Sequence, residues 1–386
     1  MSSPSTPSPH GRTPLHTVQI LGGGSAGTGA HVRSLSAGLV ARGVRVTVCA
    51  PDEAESSHRF TGVGARFAPT PARTEAGALA AVRAVCADAD LVHAHGLRAG
   101  LLAALALGGR RRRVPLVVTW HTRTHREGVR ARMTYLLERR VARAARVVLA
   151  VSSDLVERAR RRGARDARLA PVALPGPCAG EPPLEGSAAP AAEEDTLRHK
   201  ERAELGAVDR PLILTVGRLE PHQGHDVLLT AARAWRHRDP EPLVAVAGEG
   251  SRRAALQRRI DAEQLPVRLL GCREDALRLL AAADLAVLPA RWEGRSPLAQ
   301  EALRAGVPLV ATAVGAVPEL VGDAALLVPY GDPDALADAV SGLLADPGRR
   351  AAMAAAGRAQ AATWPTEDTT VAQVLSVYDE LSAAAV

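Results

Sequence analysis

The chain has 386 residues, 47% of them hydrophobic, and carries a net charge of +7 with only 2% aromatic residues. That length suits two domains of ordinary size, and the shortage of aromatics with no nucleic-acid motif argues against a nucleic-acid partner despite the basic charge. Cys49, Cys86, Cys178 and Cys272 include no Cys-x-x-Cys pair, which argues against a disulfide framework or cysteine zinc site and fits a reducing, cytoplasmic setting.

Residues 1–14 are Ser/Pro-rich without an apolar run. They are expected to be loose chain, not a signal peptide. No stretch approaches the ~18 uninterrupted apolar residues that a membrane span needs.

From residue 15 onward, short apolar runs alternate with helix-compatible segments. The runs are 17–21, 44–49, 91–95, 116–119, 147–151 and 168–172, and helices are expected over 30–42, 97–107 and 126–144. This rhythm predicts a parallel sheet covered on both faces. The helix over 126–144 carries Arg130, Arg132, Arg139, Arg140 and Arg143 beside Met133, Leu136, Leu137 and Val141. Such a face is either solvated or suited to peripheral contact with an anionic membrane.

Residues 176–200 open on proline, glycine and glutamate and read as a linker between domains. The rhythm then resumes with strands expected at 212–216, 243–247, 267–270, 285–288, 309–312 and 325–328, and helices over 227–238 and 335–344. The expected organisation is an N-terminal domain over 15–175, a C-terminal domain over 201–364, and a final helix over 366–384 packing back on the first domain. Ligands of such sheets bind beyond the C-terminal strand ends.

Two glycine-rich turns follow opening strands. In the first, Gly22, Gly24 and Gly27 satisfy G-x-G-x-x-G between a strand and a helix. The dinucleotide fingerprint also wants an acid ~20 residues on. Asp52 comes late and after Pro51, so an NAD-dependent oxidoreductase is the weaker alternative. In the second, Arg218 follows Val216-Gly217, a place from which arginine can grip a diphosphate with two parallel hydrogen bonds. Asp88-Ala-Asp90 reads as charge at a helix end. His93-x-His95 and His121-x-x-x-His125 have no acidic partner nearby, so no metal ligands are assigned. His121 follows a strand end, where a ligand would lie.

The most specific element is Glu293 with Glu301, eight positions apart. Between them Ser296 suits an N-cap, Pro297 the first helical position, and Gly306 with Pro308 the helix end. A helix N-terminus between two carboxylates suits a ligand with phosphate at its centre and hydroxyls at both ends. A nucleotide-sugar has that form.

With Glu301-Ala-Leu-Arg-Ala-Gly-Val-Pro-Leu-Val-Ala-Thr312, Val216-Gly-Arg-Leu219, Ala283-Asp-Leu-Ala-Val-Leu-Pro289, His95-Gly96 and Thr119-Trp-His121, the chain resembles glycosyltransferase family 4. The resemblance implies the GT-B fold: two Rossmann-like, doubly wound parallel-sheet domains of the α/β class facing across a cleft. It implies a retaining transferase that needs no metal or cofactor, with a UDP- or GDP-linked sugar as donor. The acceptor would be a sugar, an inositol phosphate or a lipid-linked molecule. Glu293 would contact the transferred sugar, Arg218 the leaving diphosphate, and Glu301 the ribose. Backbone of Ser296, Pro297 and Leu298 would cradle phosphate and sugar. The Gly27, Thr28 and Gly29 loop would approach the donor, Gly271, Cys272 and Arg273 would touch the base, and His121 would face sugar and acceptor.

The sequence departs from the family at three places. Gln223 stands where the family has a lysine, removing one of two phosphate cations, for which Arg295 is one candidate replacement. Leu174-Pro-Gly-Pro-Cys178 replaces an Asn-Gly-Val-Asp-like turn, and Gly315-Ala316 replaces Gly-Gly. The Gln223 substitution leaves open a degenerate, non-catalytic nucleotide-sugar-binding or assembly protein.

Overall fold

The computed structural model describes residues 14–23, 26–71, 74–109, 114–123, 128–173, 191–273 and 275–383. The chain divides into two compact units. One comprises Met1–Ala150, Glu157–Ala170 and Glu367–Val386, the other Val151–Val156 and Pro171–Thr366.

The first unit holds β1 (His16–Leu21), β2 (Arg45–Ala50), β3 (Arg66–Pro69), β4 (Leu91–His95), β5 (Leu116–Trp120), β6 (Val147–Ala150) and β7 (Ala167–Leu169). They form one sheet in the order β3-β2-β1-β4-β5-β6-β7, with parallel pairing throughout. Strand β3 was not expected from sequence. It is a four-residue edge strand that ends in Pro69, and proline is tolerated at a sheet edge.

The final helix, Glu367–Ala383, belongs to this unit. It packs on the helix Ala26–Ala41 at Gly38, where an added Cβ would meet Val371 Cγ2 at 2.5 Å. Val371, Val374, Val377 and Tyr378 of the final helix are all buried in the core with Val32, Leu35 and Leu39.

The second unit holds β8 (Leu212–Val216), β9 (Leu243–Ala247), β10 (Val267–Gly271), β11 (Leu285–Leu288), β12 (Leu309–Thr312) and β13 (Leu326–Val328). Their order is β10-β9-β8-β11-β12-β13, again parallel. Leu212, Leu214, Ala286 and Leu288 face one core, and Ile213, Val244, Leu285 and Val287 face the other. Burial on both faces explains why these strands read as continuous apolar runs. Of the expected linker, residues 176–190 lie outside the described residues, and Ala191–Leu205 is helical.

In both sheets the strand order reverses once, between β1 and β4 and between β8 and β11. In doubly wound sheets, ligands bind at such a point, beyond the carboxyl ends of the strands.

Candidate functional site

In the second unit, the loops after β8 and β11 meet at the reversal. Gly217 and Arg218 leave β8, and a short turn over Pro221–Gln223 leads to Gly224, whose φ is 74°. An added Cβ at Gly224 would lie 1.8 Å from Pro289 O. Only glycine lets this turn rest on the chain leaving β11. Gln223 Nε2 then donates to Glu293 Oε2 at 3.4 Å.

Burial raises the Glu293 carboxyl above its ordinary pKa, opposed by hydrogen bonds from Gln223 and the Gly294 backbone. Backbone of the loop after β12 fixes this residue. Ala316 N donates to Glu293 O at 2.9 Å. Gly315 has φ 56°, and its added Cβ would lie 2.1 Å from the same carbonyl. Ala316 has φ −88°, ordinary for any residue, so the missing second glycine costs the turn nothing.

The helix Pro297–Ala305 begins where the sequence placed it. Ser296 caps it, accepting from Ala299 N at 3.4 Å, and Gly306, with φ 69°, ends it. Leu298 is buried and Pro297 exposed. Glu301 sits on the second turn, 3.5 Å from Arg304 Nη1. The helix N-terminus therefore lies between the two glutamates in the chain, and its backbone dipole favours an anion.

The Arg218 side chain is 79% exposed and only 3.7 Å from Glu220 Oε1. Its backbone is held, since its carbonyl lies 3.3 Å from His225 Nε2. An exposed guanidinium on a fixed backbone suits a ligand phosphate. Among the described residues, Arg295 makes no hydrogen bond to Gln223, whose amide is on Glu293. Its guanidinium lies 5.9 Å over the Trp364 ring, and burial lowers its pKa to about 10.

Gly271, with φ 79°, ends β10, and its carbonyl accepts from Gly248 N at 2.7 Å. Cys272 is exposed. Arg273 is paired with Asp275, Nε to Oδ1 at 2.7 Å, so its backbone and not its charge is what the strand end offers.

In the first unit, the expected loop over Gly27, Thr28 and Gly29 is instead the first turn of the helix Ala26–Ala41. Gly29 leaves room there for the His58 ring, since an added Cβ would lie 2.1 Å from His58 Nε2 and would push that half-buried side chain aside. Gly24 lies outside the described residues. Asp90 is spent at the opposite end of the sheet, accepting from His16 N at 3.0 Å.

Beyond β4 and β5 lies a cavity of about 740 Å³. Thr28, His95, His121 and Thr122 supply polar lining, Leu79, Leu101, Leu102, Leu105 and Leu137 the apolar walls. The Arg98–Glu75 ion pair, at 2.9 Å, also lines it. The sequence marked His121 as a site residue and His95 only through the His93-x-His95 spacing and the His95-Gly96 pair, and gave no sign of His31. His95 Nδ1 is 3.2 Å from His121 Nε2, and the His31 ring centroid is 5.3 Å from that of His121.

Burial keeps these histidines neutral. It lowers His31 to about 4 and His93 to about 3, and it holds His95 and His121 well below the ordinary value, with neighbouring histidines adding to the effect. One nitrogen from each of His31, His95 and His121 lies within 4.8 Å of the others, a spacing that could hold a metal ion. The polar Gln19 inside the apolar run His16–Leu21 was the available sign that this sheet buries a polar network.

Family comparisons match both units. Residues 26–175 match the glycosyl transferase 4-like domain and residues 198–360 match glycosyl transferases group 1. A GDP-mannose-dependent alpha-(1-6)-phosphatidylinositol monomannoside mannosyltransferase of Mycolicibacterium smegmatis is 34% identical over 48% of this chain and 53% of its own length. A D-inositol 3-phosphate glycosyltransferase of Salinispora arenicola is 36% identical over 47% of this chain and 44% of its own. The chain thus spans about half the length of these curated relatives.

The crystal structure of Anabaena Alr3699/HepE in complex with UDP is 19% identical, covers 95% of this chain and 100% of its own, and superposes with a TM-score of 0.77. That likeness shows the fold, GT-B. The two family matches take in most of both units, and the chain belongs to the group 1 glycosyltransferases, with an N-terminal half of the 4-like kind.

Proposed function

We propose that the protein transfers a sugar from a nucleotide-sugar, UDP- or GDP-linked, with retention of configuration. The observation that carries this is the second-unit arrangement at the sheet reversal: enclosed Glu293, the capped helix at Ser296, Glu301 one turn further in, and exposed Arg218. Cleaving the sugar–phosphate bond builds negative charge on the diphosphate. Arg218 and the helix N-terminus stabilise that charge where it develops, so metal is not required. Glu301 binds the ribose hydroxyls, Glu293 the transferred sugar, and His121 faces sugar and acceptor.

The leucine-walled cavity beside His121 favours an acceptor with an apolar part over a bare inositol phosphate. On the helix Gly128–Ala144, Val129, Met133 and Leu136 are 79%, 62% and 61% exposed at helical spacing. Exposed Arg132, Arg140 and Arg143 accompany them. That combination favours peripheral binding to an anionic membrane from the cytoplasmic side. No helix among the described residues is long and apolar enough to cross one.

A second reading, a non-catalytic nucleotide-sugar-binding protein, is carried by Gln223, which puts a neutral amide against Glu293. Calorimetric titration without added metal, using UDP, GDP, ADP, UDP-glucose, UDP-GlcNAc, GDP-mannose and NAD, tests the proposal. Selective binding of one nucleotide and its sugar is expected. Binding of NAD alone, or of nothing, contradicts it.

A further inference from the structure

Six side chains of the first unit lie in one line, with a single side bond from Gln19 Nε2 to Thr17 Oγ1 at 3.4 Å. Thr119 Oγ1 is 2.6 Å from His93 Nε2, and His93 Nδ1 is 2.7 Å from the Tyr378 hydroxyl. Gln19 Nε2 donates to that hydroxyl at 3.0 Å, and Gln19 Oε1 lies 3.0 Å from His95 Nε2. His95 Nδ1 then meets His121 Nε2 at 3.2 Å. Gln19, His93, His95 and Tyr378 are each 2% exposed or less, so water does not replace these partners.

We infer that this line is a directional chain of hydrogen bonds that holds His121 in the tautomer with its proton on Nε2, and that Gln19 is the positioning residue that sets the direction. A neutral imidazole has one donor nitrogen and one acceptor. Gln19 is the group whose two ends differ in kind. Its amide oxygen can only accept, so His95 carries its proton on Nε2. The His95 Nδ1 lone pair then faces His121 Nε2, which must donate.

On the other arm, the Tyr378 oxygen accepts from Gln19 and gives its own proton to His93 Nδ1. His93 Nε2–H donates to Thr119. Turning the Gln19 amide over would reverse every bond in the line together. In the stated direction His121 is left with its lone pair on Nδ1, so it meets a substrate hydroxyl as an acceptor. This consequence rests on His121 facing the substrate as proposed above. The tautomer itself does not.

The test is a long-range ¹H–¹⁵N correlation spectrum of the full-length protein with ¹⁵N-labelled histidine at pH 7.5, with His121 assigned by loss of its signals in His121→Asn. A protonated Nε2 and a lone-pair Nδ1 are expected for both His95 and His121. A His121 proton on Nδ1, or averaged signals, overturns the inference.

In Gln19→Glu the carboxylate still accepts from His95, and the His121 signals should keep the wild-type pattern. In Gln19→Met the acceptor is gone, and they should move toward the average of two tautomers. A wild-type pattern in Gln19→Met overturns the positioning role. If His121 proves unimportant for transfer, turnover reports it while these spectra stand unchanged, which separates the two failures.

Discussion

Gln223 Nε2 and Glu293 Oε2 lie 3.4 Å apart, so the residue that replaces the family's phosphate-binding lysine leans on the carboxylate assigned to the transferred sugar. A lysine there would pair with Glu293 and add a second cation for the diphosphate. We expect Gln223→Lys to tighten nucleoside diphosphate binding roughly tenfold, about 1.4 kcal/mol, close to the low end of what one charged hydrogen bond contributes. Calorimetry checks this, and unchanged affinity would show that the diphosphate does not reach position 223.

Glu293 illustrates the cost of such a site. Its folded pKa is raised by burial, so the folded state holds the proton more tightly than the unfolded chain. Its contribution to stability is therefore greatest in acid and is lost as pH rises from the ordinary carboxyl value through the raised one. Glu293→Gln should raise Tm at pH 7, by ~2–4 °C for each kcal/mol relieved, and the gain should vanish near pH 4 (about the unfolded carboxyl pKa). The same variant should abolish transfer. A Tm lower than wild type at pH 7 would refute the strain.

The histidine cluster gives the opposite pH dependence. Folded pKa values are depressed, to about 4 for His31 and about 3 for His93. Between those values and the unfolded value of ~6.5, the unfolded chain binds more protons, so stability is lost as pH falls through this window. Each histidine contributes up to ~1.4 kcal/mol per pH unit there. Thermal melts should show Tm falling steeply below pH 6.5, with a shallower fall in His31→Asn. A flat Tm from pH 7.5 to 5.5 would contradict the buried neutral cluster.

Gly315 and Ala316 should respond differently. Gly315→Ala forces a side chain at φ 56° into the Glu293 carbonyl. It should cost at least ~1–3 kcal/mol of stability and displace Glu293. Ala316→Gly should cost no more than ~1 kcal/mol and leave donor binding intact. Denaturant unfolding with a binding titration reads both, and equal effects would remove the support assigned to this turn.

The sequence-to-structure relation differs between the two units. In the second, the site is built from contiguous segments whose local signals agree. Ser296, Pro297 and Gly306 fix one helix, and β8, β9, β11 and β12 begin and end at the residues their apolar runs predict. In the first, the helix Ala26–Ala41 starts earlier than its glycines suggest, and Gly29 packs against the His58 ring inside that helix and opens no turn. The network joining Gln19, His93, His95, His121 and Tyr378 assembles from four distant segments. Only the fold brings those residues together, so local spacing carried no sign of it beyond the His93-x-His95 pair and other polar residues in apolar strands.

The central claim is that Glu301 and the helix it rides on hold a nucleotide. The most direct measurement is calorimetric titration of wild type and Glu301→Ala with the preferred nucleoside diphosphate and with its 2′,3′-dideoxy form. Wild type should bind the natural nucleotide at least ~10-fold more tightly than the dideoxy form, about 1.4 kcal/mol, and Glu301→Ala should bind both with the same weak affinity. A Glu301→Ala variant that still distinguishes the two nucleotides as wild type does would contradict this account.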